Sequence, residues 1–365
     1  MNPYRCWAEI DLAALRHNGE TARNCVGPDV ALLAVVKSNA YGHGLAAVAK
    51  ALAEHAQLFG VANFEEAIAA RAAIPHPVMI LGPALPEERA GIVTHRFIPS
   101  VSNYDEALAF SRVASGSSVA MNCAIDTGMG RMGIAESDAL EEIGRISALP
   151  NVAIHSISTH LPVADEDAQF TQAQLSRFAE LVKRIRSKLP ERCPVHVLPS
   201  AGVLSFRASA FEIVRAGLML YGASPIPHLQ DRLQPVLALK SRVVLLRDLP
   251  KGSSISYGRT FITKRLTRVA TLGIGYADGL PRAISGRDAV VLIRGHRCAV
   301  LGRVTMDLTM VDVTEVNDVA VGDEAVLIGR QGSEEIFAGE FAERAGTIAW
   351  EIFTGIGSRV GRVYV

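Results

Sequence analysis

Eight short apolar runs, separated by stretches of helical periodicity, constrain this chain more than any other feature. They fall at residues 31–36, 58–61, 78–81, 96–98, 119–125, 152–158, 195–198 and 213–214. Helical patterns lie between most of them, for example at 64–73, 104–113, 137–148 and 167–188. Eight short strands with helices between them predict a (β/α)8 barrel, an α/β fold whose chemistry sits at the C-terminal ends of the strands. Lys37, Asp126, His160 and Ser200 fall at such ends.

The pattern changes near Pro235. From there short β runs alternate with glycine turns, at 236–246, 268–272, 289–293, 296–300, 310–312 and 324–328. Lys251-Gly252, Arg294-Gly295 and Val321-Gly322 read as turns. The expectation is an all-β C-terminal domain. A length of 365 residues agrees with two domains. The division expected is 1–235 for the barrel and 236–365 for the β domain, with the first ten or so residues able to pair with the latter. Three prolines between 225 and 235 suit a short, stiff junction.

Lys37 closes the first run. Its neighbourhood reads Ala34-Val35-Val36-Lys37-Ser38-Asn39-Ala40-Tyr41-Gly42-His43-Gly44 and leads into an amphipathic stretch at 45–56. A lysine at the end of a buried strand either reaches out to solvent or is put to use. Loss of solvation lowers an ammonium pKa and makes the amine a better nucleophile, as a Schiff-base lysine requires.

Composition narrows the classes of function. Lys plus Arg and Asp plus Glu are 37 each, a balance that gives no support for nucleic acid or an anionic membrane as partner. Residues 1–12 lack the basic stretch and apolar core of a signal peptide, and no apolar run is long enough to span a bilayer. Cys6, Cys25, Cys123, Cys193 and Cys298 lie far apart and form no CxxC pair and no metal-ligand spacing. Reduced, packed thiols in a cytoplasmic protein are expected, with no metal site.

Motifs spread over the whole length resemble those of the alanine racemase family of pyridoxal-phosphate enzymes. They are the Lys37 segment above, Asp126-Thr127-Gly128-Met129-Gly130-Arg131-Met132-Gly133, Thr159-His160, Arg215-Ala216-Gly217-Leu218-Met219-Leu220-Tyr221-Gly222, Ser256-Tyr257-Gly258, Gly275-Tyr276-Ala277-Asp278-Gly279 and Met306-Asp307, in the family's order. The resemblance implies interconversion of L- and D-alanine, with D-alanine supplied to peptidoglycan. A racemase of broader range (serine and alanine), a barrel-type decarboxylase and a non-catalytic carrier of the cofactor are the alternatives.

The same resemblance implies roles. Lys37 carries pyridoxal phosphate as an aldimine and is the base on one face of the substrate. Tyr257, from the other subunit of a head-to-tail homodimer, is the second base, because racemisation needs an acid/base on each face. A phenol titrates near pH 10 and needs help, here from His160 and Arg215. Arg215 faces the pyridine nitrogen; a guanidinium accepts no proton, so that nitrogen stays unprotonated. Tyr41, Ser200, Gly217 and Leu218 match the phosphate and cofactor contacts, and His160 packs on the ring. Arg131 and Met306 match the substrate side, Met306 through its backbone N–H. Tyr276, Arg282 and Arg303 match the access passage. Two positions depart from the pattern. Ala124 stands where many members have a carboxylated lysine that orients the arginine equivalent to Arg131. That leaves Asn122, a bound anion or another side chain to hold it. Ser358 stands where a tyrosine usually narrows the pocket, which implies a roomier site.

Overall fold

A computed structural model describes residues 4–365 except 115, 188, 190–192 and 210. Eight parallel strands close on themselves: Ala31–Val35, Leu58–Val61, Val78–Ile80, Ile98–Val101, Val119–Asp126, Val152–Ser158, Val195–His196 and Ile213–Ala216. Each pairs with the next, and Ile213–Ala216 returns to pair with Ala31–Ala34. The fold is a (β/α)8 barrel. Strands packed on both faces explain why the runs read as continuous rather than alternating; every residue of Leu58–Val61 and Ile98–Val101 is buried.

Helix starts follow local chemistry. Asn63 and Asn103 cap the helices Phe64–Ala73 and Tyr104–Val113, each accepting from the amide of a glutamate three residues on. Asp167 caps Ala168–Arg186 in the same way. The run expected at 167–188 ends its helix at Arg186, and position 188 lies outside the described residues. The run expected at 96–98 forms its strand from Ile98, because Arg96 adopts φ +55°, a left-handed conformation that no strand accommodates.

Beyond the barrel a β-rich domain is built on the long strand Leu237–Leu249. The N-terminal strand Cys6–Ile10 lies in this second sheet, antiparallel to Leu237–Ser241 and parallel to the strand Gly361–Tyr364. The hairpin Val290–Ile293 to His296–Ala299 turns on Arg294-Gly295, both with positive φ, as a two-residue turn matched to strand twist requires. The domain also carries two short helices, Ala338–Ala345 and Ala349–Gly355, with Phe341, Ala342, Ile352 and Phe353 turned inward. No helix among the described residues is long and apolar enough to cross a membrane.

The second helix packs on the turn that follows Lys37. Gly42 has φ +78°, and a methyl there would overlap the Phe353 carbonyl oxygen. Gly42→Ala combines that overlap with left-handed strain of roughly 1–2 kcal/mol. The expected result is a destabilisation of at least about 2 kcal/mol, measured by urea unfolding, whereas Gly116→Ala, which meets nothing, pays only for its φ of +81°.

Candidate active site

A cavity of about 660 Å³ opens at the C-terminal ends of the barrel strands, with Lys37, Tyr41, Arg131, His160, Ser200 and Arg215 on its walls. Lys37 is half-buried where the first strand ends. Loss of solvation, reinforced by the positive charge of Arg131, pushes its ammonium pKa down, against a smaller opposing effect of Glu66.

The backbone after Lys37 is unusual. Ser38, Asn39, Ala40 and Tyr41 have φ of 55°, 52°, 53° and 52°, a full turn of left-handed helix without a glycine. Such residues cost roughly 1–2 kcal/mol each, so the neighbours must over-determine the turn. Glu66 does part of this: one oxygen accepts from Asn39 N at 3.1 Å, the other from Ala62 N at 2.9 Å. The buried His43 ring does another part through Nδ1, which donates to the carbonyls of Tyr41 (2.8 Å) and Ala40 (3.1 Å). Its ring packs on Tyr221 and Phe353.

Tyr41 stacks on Tyr221 at 4.6 Å between centroids and sends its hydroxyl to the Gly217 backbone. A methyl at 217 would lie 2.6 Å from that oxygen, so only glycine leaves the space. Burial pushes the Tyr41 phenol up to about 12, so it stays a donor. Ser200 Oγ accepts from the amides of Gly217 (2.9 Å) and Met219 (3.2 Å), which leaves its own proton to donate. Leu218 opens a 3-10 turn, where its N–H has no partner within the turn.

Arg215, 8% exposed, is held by carbonyls rather than by an acid. It donates to His196 O (2.8 Å), Thr159 O (2.6 Å) and Val197 O (3.0 Å), and to His196 Nδ1 (2.6 Å). No carboxylate among the described residues pairs with it. Burial, then the charge of Arg131, brings it down to about 10, which leaves it positive at neutral pH. It also reaches His160 Nδ1 at 3.3 Å. A guanidinium only donates, so Nδ1 of both histidines accepts and the proton of each sits on Nε2. Loss of solvation, then the charges of Arg215, Arg131 and Lys37, pushes His160 down to about 3.

The second nitrogen of His196 meets Ser156 Oγ at 3.2 Å, and Ser156 donates to Asn122 Oδ1 at 3.1 Å. Asn122 in turn donates to Ser100 (3.1 Å) and Ser158 (3.0 Å). This corrects one expectation: the amide of Asn122 is fully engaged inside the barrel and does not hold Arg131. Arg131 is exposed and stands on a turn closed by Asp126, whose carboxylate accepts from the amides of Gly128, Met129 and Gly130. Beside it Ala124 offers only a methyl group.

The structure does not bring Tyr257 or Met306 into this cavity within one chain. They lie on the β-rich domain, 69% and 53% exposed, in the company of Tyr276 at 40%. Ser256 holds φ +63° at the root of the Tyr257 turn, and Arg303 packs on Gly258. Arg282 opens a 3-10 turn in the same domain. Ser358 is exposed and does not line the cavity; Ile348, Trp350 and Thr354 form the nearby wall. Sequence reasoning missed those three wall residues, which only domain packing reveals, and it missed His196. The signal for His196 was present: a polar ring inside the run 195–198, of the same kind that marked Lys37.

A closed barrel with a cationic site at its strand ends, joined to a β-rich domain, matches known proteins along its whole length. Residues 10–225 match the family model described as alanine racemase, N-terminal domain, and residues 236–364 the one described as alanine racemase, C-terminal domain. The alanine racemase of Halothermothrix orenii is 40% identical over 98% of this chain and 96% of its own length. That of Methylacidiphilum infernorum is 41% identical over 99% and 92%. Among solved structures, alanine racemase from Bacillus anthracis with bound L-Ala-P superposes with a TM-score of 0.92 at 33% identity, covering 100% of this chain and 96% of that one. Alanine racemase from Bartonella henselae with covalently bound pyridoxal phosphate gives 0.90 at 27% identity, covering both chains in full. Fold and matches together define a two-domain isomerase of the racemase type. The chain belongs to the alanine racemase family.

Burial sets a pH dependence. His43 is pushed down to about 4 from 6.5, chiefly by loss of solvation. The unfolded chain takes up this proton near pH 6.5 and the folded chain only near 4, so the contribution is complete above 6.5 and is lost as pH falls through that window. The expected slope is about 1.4 kcal/mol per pH unit for this one group. Urea unfolding at pH 7, 6 and 5 should show His43→Gln with a shallower loss than the parent by about that amount.

Proposed function

We propose that this chain interconverts L- and D-alanine with pyridoxal phosphate attached to Lys37. The observation that carries the reading is the half-buried Lys37 facing a cradle that fits a phosphate: the free proton of Ser200, the Leu218 amide and the Tyr41 hydroxyl, around a Gly217 where a side chain would fill the space. Arg215 fits beside the ring nitrogen, because it donates without offering an acid to protonate it. That argues against the decarboxylase alternative. Bound there, the cofactor supplies the delocalisation that makes the α-proton of an amino acid acidic.

The chain's own groups do the rest. Lys37, kept toward its neutral form by burial, takes or returns the proton on one face. Arg131 receives the substrate carboxylate. Tyr257 of a second copy serves the other face, in keeping with its exposure on one chain. His160 keeps its proton on Nε2 and offers it to that phenol oxygen, while Arg215 adds positive charge behind it. Both favour the phenolate. Met306 of the second copy brings its backbone N–H to the substrate side. The working form is then a homodimer with shared sites, in the cytoplasm, and its D-alanine feeds peptidoglycan. The residue ranges 1–235 and 236–365 serve as the cofactor-binding and base-contributing parts.

The test is turnover of each alanine enantiomer by the cofactor-loaded protein, read by chiral chromatography. Lys37→Ala and Tyr257→Phe should each lose roughly 10²–10⁴-fold, the worth of a positioned acid/base. Mixing the two variants should restore activity, since one of the two sites in a mixed dimer is intact. Tyr257→Phe should still exchange the α-proton of one enantiomer with deuterium. Exchange of both enantiomers by that variant, or no recovery on mixing, would sink the two-face, two-subunit reading.

A further inference from the structure

The turn after Lys37 is closed by a residue more than three hundred positions away. Every carbonyl from Ser38 to His43 receives a donor. Ser38 O takes Gly42 N, Asn39 O takes Gly44 N, Ala40 O takes His43 N, and Tyr41 O takes the His43 ring. The last two are supplied from the strand Gly361–Tyr364: Arg362 Nε donates to Gly42 O at 3.0 Å, and the Tyr364 hydroxyl to His43 O at 3.3 Å. Arg362 is half-buried and has no carboxylate within ion-pair distance among the described residues. Its other donors go to Gly357 O (2.6 Å), Val360 O (2.7 Å) and Ile356 O (2.7 Å). One guanidinium thus binds four main-chain carbonyls on two segments.

The second segment leads to the substrate-side loop. Arg359, inside it, pairs with Asp307 at 2.8 Å and with the buried Asp278 at 3.1 Å. Asp307 follows Met306, and Asp278 closes the turn begun at Gly275. Gly44 is glycine for the same reason: a methyl there would overlap the Tyr364 hydroxyl.

We infer that Arg362 is a positioning residue for Lys37: it holds the left-handed turn in register and ties it to segment 356–360 of the β-rich domain. A planar fork of fixed donors suits this task, since a lysine is a single compact charge that cannot span four carbonyls. The inference rests on the role of Lys37 proposed above.

The experiment compares the cofactor-loaded parent with Arg362→Met by amide hydrogen exchange and steady-state kinetics. Exchange at Ala40, Gly42, His43 and Gly44 should rise about tenfold or more, the scale of one lost charged hydrogen bond, while exchange in Val119–Asp126 stays as in the parent. The kcat for alanine should fall about tenfold or more by the same scale, with KM unchanged because Arg131 is untouched. The visible circular dichroism of the bound cofactor should weaken as Lys37 gains freedom. If Arg362→Met does not fold, Arg362→Lys keeps the stem and the charge but not the fork, and is read in the same way. Unchanged exchange at those four amides, or an unchanged kcat, overturns the inference. Failure of borohydride to fix the cofactor on Lys37 in the parent would overturn the Lys37 role instead, and the exchange comparison still decides whether Arg362 holds the turn.

Discussion

Positive charge buried without an acid is the constraint around which this site is arranged. Arg215 has lost its water and received only carbonyls and an imidazole in exchange. A paired carboxylate would neutralise it; carbonyl dipoles stabilise the cation yet leave its charge uncancelled. Lys37 and Arg131 stand on the same cavity. Burial first, then the charge of Arg131 on Lys37 and those of Arg215, Arg131 and Lys37 on His160, pushes both groups toward their neutral forms. This positive charge also makes the cavity complementary to a molecule carrying phosphate and carboxylate groups. Electrostatics that would be a defect in a purely structural core is here a statement about what belongs inside.

Carbonyls are the common device. The barrel presents them to Arg215, the left-handed turn presents them to His43 and Arg362, and the polar chain through Ser156 and Asn122 fixes which nitrogen of His196 carries its proton. Orientation is assigned by chemistry at each step, because a guanidinium can only donate. A network whose donors and acceptors can be arranged in one way only is rigid for that reason. Rigidity of this kind suits the two-face proton transfer proposed above, which depends on groups held in place.

The barrel was legible in the sequence because parallel strands packed on both faces leave continuous apolar runs; seven of the eight observed strands begin at the residue where their run begins and the eighth two residues later. Lys37 was legible because a charge at the end of such a run is improbable without a use; Arg215 was legible only through the family resemblance. The two helices of the β-rich domain were not, since their few apolar positions are short and interleaved with small residues. The left-handed turn was invisible: Ser38, Asn39, Ala40 and Tyr41 carry no glycine to announce positive φ, and contacts from distant residues such as Glu66 and Arg362 help to impose it. Asn122 shows the opposite error. Its place on the strand face beside Arg131 was readable, but its partners, three serines on neighbouring strands, depend on barrel register.

The parallel pairing of Cys6–Ile10 with Gly361–Tyr364 bears on how the molecule comes into being. During synthesis the first of these strands leaves the ribosome on the order of tens of seconds before the second, at ordinary elongation rates. The barrel can close in that interval, but its sheet partner and the donors to Gly42 and His43 do not yet exist. A nascent chain therefore holds Lys37 on a turn whose last two carbonyls, at Gly42 and His43, gain their donors when strand Gly361–Tyr364 arrives. Assembly order thereby completes the turn last: a chain that stalls before that strand keeps the holds of Glu66 and His43 but lacks the donors to Gly42 O and His43 O.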